Sequence, residues 1–277
     1  MEKMLQALVT IFSITAIRYF ILAGVPFFLF YKLIAKWYAK GKIQNRNASV
    51  KDFMREILHS MQTSAVFAVI AYVILYTPLK NYTQLYDSFT DFPPWYLPVS
   101  LVLSLVIHDT YFYWMHRLLH HKKLFNYAHV LHHKSTNPSP WASYSFHFFE
   151  AWAEGAVLLV IVMIMPIHPI VVVWFTIVGF VINVYGHLGY EVAPKWLRGS
   201  FLFQVINTSV HHNIHHSKFR GNYGLYFRVW DRLMGTEHPD YVKEYDRLQE
   251  SRFGKKPAKT TKPETLETEV SASLSNA

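Results

Sequence analysis

Histidines at helical spacing are the residues of this chain with the clearest potential for chemistry. Seven of its sixteen histidines lie within one stretch of 26 residues. His116 and His120 are four residues apart, and His129, His132 and His133 follow an i, i+3, i+4 pattern. On a helix with 3.6 residues per turn, residues at these spacings project from one face. Each set is therefore suited to present two or three imidazoles to a metal ion.

A second group of histidines repeats this pattern later in the chain. His212, His215 and His216 have the same H-x-x-H-H spacing. Imidazole nitrogen is the commonest protein ligand for iron, zinc and copper. Eight such nitrogens are too many for one tetrahedral zinc ion and suit two metal ions that share a site. The spacing thus predicts metal ligation by His116, His120, His129, His132, His133, His212, His215 and His216.

The composition limits the chemistry that such a centre can use. The chain has 277 residues, 52% of them hydrophobic and 17% aromatic, and it contains no cysteine. The absence of cysteine excludes disulfides and thiolate-bound iron–sulfur or haem centres, so a redox centre must be held by nitrogen and oxygen. The formal charge of +9 would suit nucleic acid. However, the basic residues lie beside hydrophobic blocks, which favours anionic lipid headgroups, and we expect no nucleic-acid partner.

Long hydrophobic blocks predict an all-α integral membrane protein with about four to five transmembrane helices. Blocks at 5–31 and 57–77 are long enough to cross a bilayer, which requires about 20 apolar residues. A third block is expected to continue as one helix over 95–121 and to carry its histidine face into water. Residues 151–186 form two shorter blocks separated by prolines at 166–169, which predicts a membrane hairpin.

The lysines and arginines orient these segments across the membrane. The basic loop after the first block is expected in the cytoplasm, because cytoplasmic loops carry an excess of lysine and arginine. Counting crossings from that loop places both histidine groups and His187 on the cytoplasmic side. His168 falls on the opposite side and is not expected to be a ligand. We therefore predict a multi-pass protein with a cytoplasmic, helical, histidine-rich domain for two metal ions.

Asp109 and His187 are also candidates for the metal centre, although neither belongs to an H-x-x-H-H pattern. At 100° per residue, Asp109 falls within about 40° of His116 on a helix. A carboxylate there can orient an imidazole or bind the metal itself, so we predict a catalytic role for Asp109. His187 is the ninth predicted metal ligand because the fifth block returns it to the side of the other histidines. Further candidates left open are His108, His211 and His147, the last with Glu150 as its partner.

We predict three regions along the chain. Transmembrane anchor helices occupy residues 1–92, and a catalytic domain that includes the membrane hairpin 151–186 occupies 93–240. The polar residues 253–277 form a disordered tail, since their composition cannot bury an apolar core.

The three histidine boxes, in this order, resemble those of the fatty acid hydroxylase/sterol desaturase superfamily. The boxes are H-R-x-x-H at 116–120 and H-x-x-H-H at both 129–133 and 212–216. The similarity extends to HDTYFYWMHR, to SPWASYSFHFFEAW after the second box and to NYGLYFRVWDRLMGT after the third. The last two stretches look most like the sterol desaturase branch. One difference is that some hydroxylases carry an H-x-x-x-H pair where this chain has a single His187.

The resemblance implies a mainly helical membrane enzyme with two metal ions, iron in the active form and zinc as an alternative in isolated protein. Such enzymes use O₂ and two electrons to hydroxylate or desaturate an unactivated C–H position, here of a sterol-like or fatty-acyl lipid. Because the chain has no flavin or nicotinamide motif, a cytochrome b5-like or ferredoxin-like protein must supply the electrons. A bacterial inner membrane or an endoplasmic reticulum would suit such an enzyme.

Two other classes of function stay open on the sequence. A metal transporter or storage protein would use the same histidines without catalysis, although transporters place their sites near the bilayer midplane on broken helices. A zinc hydrolase acting on lipid needs three protein ligands and an open position, which leaves at least five histidines unexplained. Lipid oxidation that depends on O₂ and a reductant separates the oxygenase from both.

Overall fold

The computed structural model describes residues 1–46 and 48–254, and within this part the regular secondary structure is helical. The predicted tail therefore lies outside the described residues, apart from its first two positions. The α-helices are α1 Glu2–Phe28, α2 Val50–Tyr76, α3 Tyr96–Leu119, α4 Val130–His133, α5 Phe148–Ile164, α6 Pro169–Gly186, α7 Phe201–Val205, α8 Ser209–Lys218, α9 Val229–Leu233 and α10 Tyr241–Phe253.

Three helices are long and apolar enough to cross a membrane, judged by length and composition. They are α1 with its π-helical extension to Leu33, α2 and α6. The prediction of an all-α membrane protein is confirmed. A helical hairpin is present where it was predicted, because α5 ends at Ile164 and α6 begins at Pro169 with proline in its first turn. Its placement in the membrane stays a prediction. Proline fits there since the first helical N–H groups have no partner within the helix.

The long helices pack around an aromatic and aliphatic core. Tyr19 of α1 stacks on Tyr144, and Phe180 of α6 lies 4.1 Å from the Tyr144 ring centroid. Val66 of α2 and Ile161 of α5 are buried in the same cluster. Stacked and tilted aromatic pairs of this kind stabilise beyond the area that they bury. This core fixes the N-terminal end of α5 and the C-terminal end of α6, which carry Glu150 and His187.

A second, smaller core holds the helix that carries the third histidine box. Val210 and Ile214 of α8 are buried with Tyr241 and Tyr245 of α10, together with Phe203. The apolar side of α8 thus faces α10, together with His211, whereas His212, His215 and His216 face the other boxes.

A buried carboxylate connects the second histidine box to the membrane helices. Glu56 of α2 is fully buried and accepts hydrogen bonds from Ser135 Oγ at 2.7 Å and Ser139 Oγ at 2.5 Å. The Trp141 carbonyl oxygen accepts from the hydroxyls of Tyr19 and Ser60. Because all four contacts fall on the segment that directly follows His133, α1 and α2 hold this segment in place.

Replacement of Glu56 by alanine is expected to destabilise the protein by about 3 kcal/mol, because two buried serine hydroxyls lose their acceptor. Thermal unfolding in detergent measures this as a lower midpoint temperature. Glu244→Ala is the control, since that partly exposed side chain forms an ion pair with Arg247 one turn further on and lies away from the segment that follows His133. An unchanged midpoint for Glu56→Ala would show that the serine contacts do not hold the segment.

Candidate metal centre

The structure brings all nine predicted histidine ligands together in two adjacent groups. In each group, one potential ligand atom from every residue lies within 4.8 Å of all the others. Every one of these side chains is buried except that of His120, which is half-buried. We call the first group site A, consisting of His116, His120, His129, His133 and His215. We call the second group site B, consisting of His132, His187, His212 and His216.

Each H-x-x-H-H box is divided between the two sites. In the second box, the i, i+4 pair His129 and His133 points into site A and the intervening His132 points into site B. The third box does the reverse, with His215 in site A and the pair His212 and His216 in site B. The two boxes thus interdigitate, and the His132 and His216 ring centroids are only 4.5 Å apart.

The Nε2 atoms within each site converge at distances that suit a shared cation. Two nitrogens bound to one metal at about 2.1 Å lie about 3.0 Å apart at a right angle and about 3.4 Å apart at a tetrahedral angle. In site A, the Nε2···Nε2 distances are 3.0 Å for His116–His129 and 3.1 Å for His120–His133. In site B, they are 3.1 Å for His187–His212, 3.1 Å for His212–His216 and 3.5 Å for His132–His187.

Hydrogen bonds on the far side of the rings direct the Nε2 lone pairs inward. Four of the histidines have Nδ1 next to a backbone carbonyl oxygen, which can only accept, so the ring proton is assigned to Nδ1 and the lone pair to Nε2. The acceptors are the carbonyl oxygens of Tyr223 for His116 (2.9 Å), Gly221 for His215 (2.7 Å), Asn183 for His187 (2.9 Å) and Ser145 for His132 (3.3 Å). The Nδ1 atom of His129 lies 2.6 Å from a Glu150 carboxyl oxygen.

Burial keeps these imidazoles neutral, which metal binding requires. Desolvation lowers the pKa of His215 to about 4 and that of His187 to about 4, because a charged imidazolium is disfavoured away from water. At pH 7 both rings are therefore neutral. The buried Nε2 of His215 has no hydrogen-bond partner in the described chain. Neutral rings with inward lone pairs fit divalent transition metals well, and nitrogen-rich ligation suits iron.

Asp109 is buried near the centre but belongs to neither site. Its carboxylate accepts the backbone N–H groups of Tyr226 at 2.7 Å and Phe227 at 3.1 Å. It thereby ties α3 to the segment that follows the third box. The catalytic role of Asp109 stays a prediction.

The three histidines left open by the sequence lie outside both sites. His108 Nδ1 is 2.8 Å from the Tyr226 hydroxyl. His147 caps α5 by accepting from the Phe149 N–H. Glu150 contacts the ring of His129, and it interacts with His147 through the His147 backbone. His211 is buried, with its Nε2 atom 4.0 Å from the Asp231 carboxylate.

The sequence did not identify the loop that anchors two of the ligands. Gly221 and Tyr223 supply the carbonyls that hold His215 and His116. Asp231 stabilises this loop by accepting from the N–H groups of Tyr223 and Gly224 and from the Thr236 hydroxyl. The available signal was the acidic residue in VWDRLMGT, together with the glycine that soon follows the third box.

The stretch of the chain that contains the histidine boxes matches a known protein family. The model of the fatty acid hydroxylase family matches residues 101–236. Lathosterol oxidase of Mus musculus is 31% identical over 220 residues, 75% of this chain and 72% of that protein. Lathosterol oxidase of Rattus norvegicus is 32% identical over 188 residues, 67% of this chain and 61% of that protein.

A fungal relative and the solved structures complete the comparison. A Delta(7)-sterol 5(6)-desaturase of Aspergillus fumigatus is 32% identical over 185 residues, which cover 65% of this chain and 49% of that protein. The chain thus spans between about half and three quarters of these relatives. No solved structure matches it.

Because the histidines form two sites, we predict that each site can lose its metal ion without loss of the other. Purified chain loaded with ferrous iron under anaerobic conditions is expected to hold about two metal ions. His132→Ala removes a predicted ligand from site B, and His215→Ala removes one from site A. Each single variant is therefore expected to hold about one metal ion per chain, and the double variant close to none. Elemental analysis measures the ratio, with His121→Ala as the control because this exposed residue adjoins His120 but lies in neither site. Unchanged metal content in the double variant would contradict the two sites.

Gly221→Ala is expected to weaken metal binding in site A. Gly221 has φ +75°, and a Cβ there would lie 2.7 Å from the Thr236 carbonyl oxygen, so the loop must shift and the Gly221 carbonyl must leave His215. Loss of such an anchor typically lowers metal affinity about 10- to 100-fold. Chelator competition measures the change. Gly199→Ala is the control, since nothing lies within 4 Å of its Cβ, and identical competition curves for both variants would refute the anchoring role.

Proposed function

The chain belongs to the fatty acid hydroxylase family, in its sterol desaturase-like branch, and on this premise we propose that it is a membrane-bound oxidoreductase that hydroxylates or desaturates a lipid with O₂. The proposed metal ions are two irons, held by site A and site B. The proposed substrate is a sterol-like lipid, since the relatives at 31% and 32% identity are named for sterols.

The observation that carries this proposal is the convergence of nine neutral imidazoles in two adjoining sites. An iron pair bound there would supply the activation of O₂ that attack on an unactivated C–H bond demands and that zinc, which has no redox chemistry, lacks. Nδ1 contacts hold five of the nine rings, those of His116, His129, His132, His187 and His215. These contacts restrict the rings and keep their Nε2 atoms directed into the two sites.

An apolar cavity gives a lipid access to these sites. The cavity has a volume of about 330 Å³ and lies between α1, α2, α5 and α6. Phe146 lines the cavity, and its ring centroid is 5.2 Å from that of His132. Asn183 also lines it, and its carbonyl holds His187. A lipid in this cavity would therefore lie against two residues that contact His132 and His187 of site B.

The electrons are proposed to arrive from a protein on the cytoplasmic side. Exposed basic residues surround the histidine-rich region and would attract an acidic donor such as a cytochrome b5-like or ferredoxin-like protein. These residues are Lys122, Lys123, Lys134, Lys218 and Arg220. In this arrangement residues 1–92 are the membrane anchor and 93–240 the catalytic domain, in an endoplasmic reticulum or a bacterial inner membrane.

Turnover of a Δ7-sterol by iron-loaded chain in nanodiscs tests the proposed function. With O₂ and a chemically reduced cytochrome b5 or ferredoxin, mass spectrometry is expected to detect a product 2 Da lighter for desaturation or 16 Da heavier for hydroxylation. The His132→Ala, His215→Ala double variant is expected to form none, and His121→Ala to retain activity. Metal binding without any lipid product across a sterol and fatty-acyl panel would favour a metal-handling protein. Product formation without O₂ would favour a hydrolase.

A further inference from the structure

Site A reaches the surface of the chain through two phenylalanine rings. The ring centroid of Phe125 lies 5.2 Å from that of His120 and 5.5 Å from that of His133. The Phe219 ring lies 5.2 Å from the His133 ring and 6.3 Å from the Phe125 ring. Phe219 is 41% exposed, so its ring contacts a predicted metal ligand on one side and solvent on the other.

Site B has the opposite environment. Its four histidines are all buried, and Phe146, whose ring lies 5.2 Å from that of His132, is buried as well. Phe146 also lines the apolar cavity between the membrane helices. The metal centre therefore has two unlike ends, because site B adjoins the cavity and site A adjoins the surface.

Phe219 has a backbone conformation that is unusual for a large side chain. It ends α8 in the left-handed region, with φ +64°, and its N–H donates to the His215 carbonyl oxygen at 2.9 Å. Its backbone also forms a hydrogen bond with the ring of His120. Glycine is the usual residue at such a helix end, because a Cβ is disfavoured at positive φ. Packing does not account for a phenylalanine at this position, since its ring is partly exposed.

Basic residues flank the two phenylalanine rings without acidic partners. All five are exposed, and each lies within three residues of Phe125, His133 or Phe219: Lys122, Lys123, Lys134, Lys218 and Arg220. Among the described residues, none of the five forms an ion pair. The chain contains no aspartate or glutamate at 110–149 or at 192–230. A surface with one sign of charge attracts acidic proteins and repels cations, which disfavours it as an entry path for metal ions.

We propose that Phe219 and these five basic residues form a docking surface for an acidic electron-donor protein, and that electrons enter the metal centre at site A. The identity of the partner as an electron donor rests on the proposed function. An aromatic ring at the centre of a charged surface is typical of the contacts that dominate the binding energy of an interface.

The position of Phe219 determines which site receives the electrons. Because its ring contacts His133, a donor that binds on this ring lies nearer to site A than to site B. Electron transfer between protein-bound centres slows steeply with distance, so the shorter path dominates. In each transfer the haem or iron–sulfur cofactor of the donor loses one electron, and one ferric ion in site A becomes ferrous.

Binding of the soluble haem domain of cytochrome b5, an acidic one-electron carrier, tests the docking surface. The chain is loaded with zinc and held in nanodiscs of neutral lipid, so that neither turnover nor anionic headgroups contribute. Phe219→Gly is expected to weaken binding about tenfold, as loss of a central aromatic contact does, although glycine suits the backbone there. Phe219→Tyr is expected to restore the affinity because it keeps the ring.

The charges are tested by the Lys218→Gln, Arg220→Gln double variant. It is expected to weaken binding mainly at low salt, because salt screens the attraction between exposed charges. Zinc content equal to that of wild type verifies that the metal sites are intact in each variant. If Phe219→Gly loses zinc, the double variant decides the outcome, since it leaves the Phe219 ring in place.

Trp37→Ala is the matched control, because Trp37 is an exposed ring close to Lys36 and Lys40 that has no ring contact with a histidine in the described chain. It is expected to bind the haem domain as wild type does. Wild-type affinity in Phe219→Gly or in the double variant overturns the docking surface. Equally tight binding of cytochrome c, a basic haem protein, also overturns it.

Anaerobic stopped-flow reduction tests the entry of electrons at site A. The two single-site variants are compared as ferric protein, with iron expected in site A of His132→Ala and in site B of His215→Ala. The measured quantity is the rate with reduced cytochrome b5 divided by the rate with dithionite. This ratio is expected to be higher for His132→Ala, and the advantage is expected to be lost when Phe219→Gly is added. Equal ratios or the reverse order would refute entry at site A.

The outcomes for the docking surface are separate from those for the proposed function. Docking is measured on zinc-loaded chain, so binding that depends on Phe219 without any lipid product from iron-loaded chain would sustain the surface and refute the oxygenase. Lipid oxidation with cytochrome b5 at the wild-type rate in Phe219→Gly would sustain the enzyme and refute the surface.

Discussion

The concentration of inward-facing imidazole lone pairs is the constraint on which the rest of the structure depends. Nε2 atoms approach to 3.0–3.1 Å in both sites. Where both rings carry their proton on Nδ1, such a contact is repulsive without a cation, because neither Nε2 atom can donate. When a divalent metal ion binds between the rings, the same separation is normal for two nitrogen ligands of one ion. The fold must therefore hold the rings in place before any metal arrives.

The membrane helices and the loops hold different parts of the histidine cluster in place. The aromatic core around Tyr144 fixes α5 and α6, and α6 ends directly at His187. Glu56 and its two serines fix the segment after the second box. On the opposite side, Asp231 organises the loop whose carbonyls hold His116 and His215. Because each anchor lies outside the ligand set, a change in an anchor alters metal affinity without removing a ligand.

The long helices, the helical hairpin and the grouping of the nine histidines could be predicted because they depend on local signals. Hydrophobic length, the prolines at 166–169 and helical spacing are all visible within short windows of sequence. The division of each box between two sites was not visible, since it depends on how α4 and α8 face each other across the core. For the same reason the contact between Glu150 and His129 was not visible. The suggested partner His147 is near Glu150 in sequence and interacts with it through the backbone, whereas His129 is brought in by the fold.

Two buried carboxyl groups differ in what the protein provides for them. Glu56 has a serine hydroxyl on each oxygen, so the protein itself supplies its hydrogen bonds and the residue acts as a structural clamp. Glu154 is buried nearly as deeply and lines the apolar cavity, and within residues 1–46 and 48–254 no group donates a hydrogen bond to it. Burial of a polar group without a hydrogen bond is unfavourable, so Glu154, unlike Glu56, does not stabilise the fold through its carboxyl group.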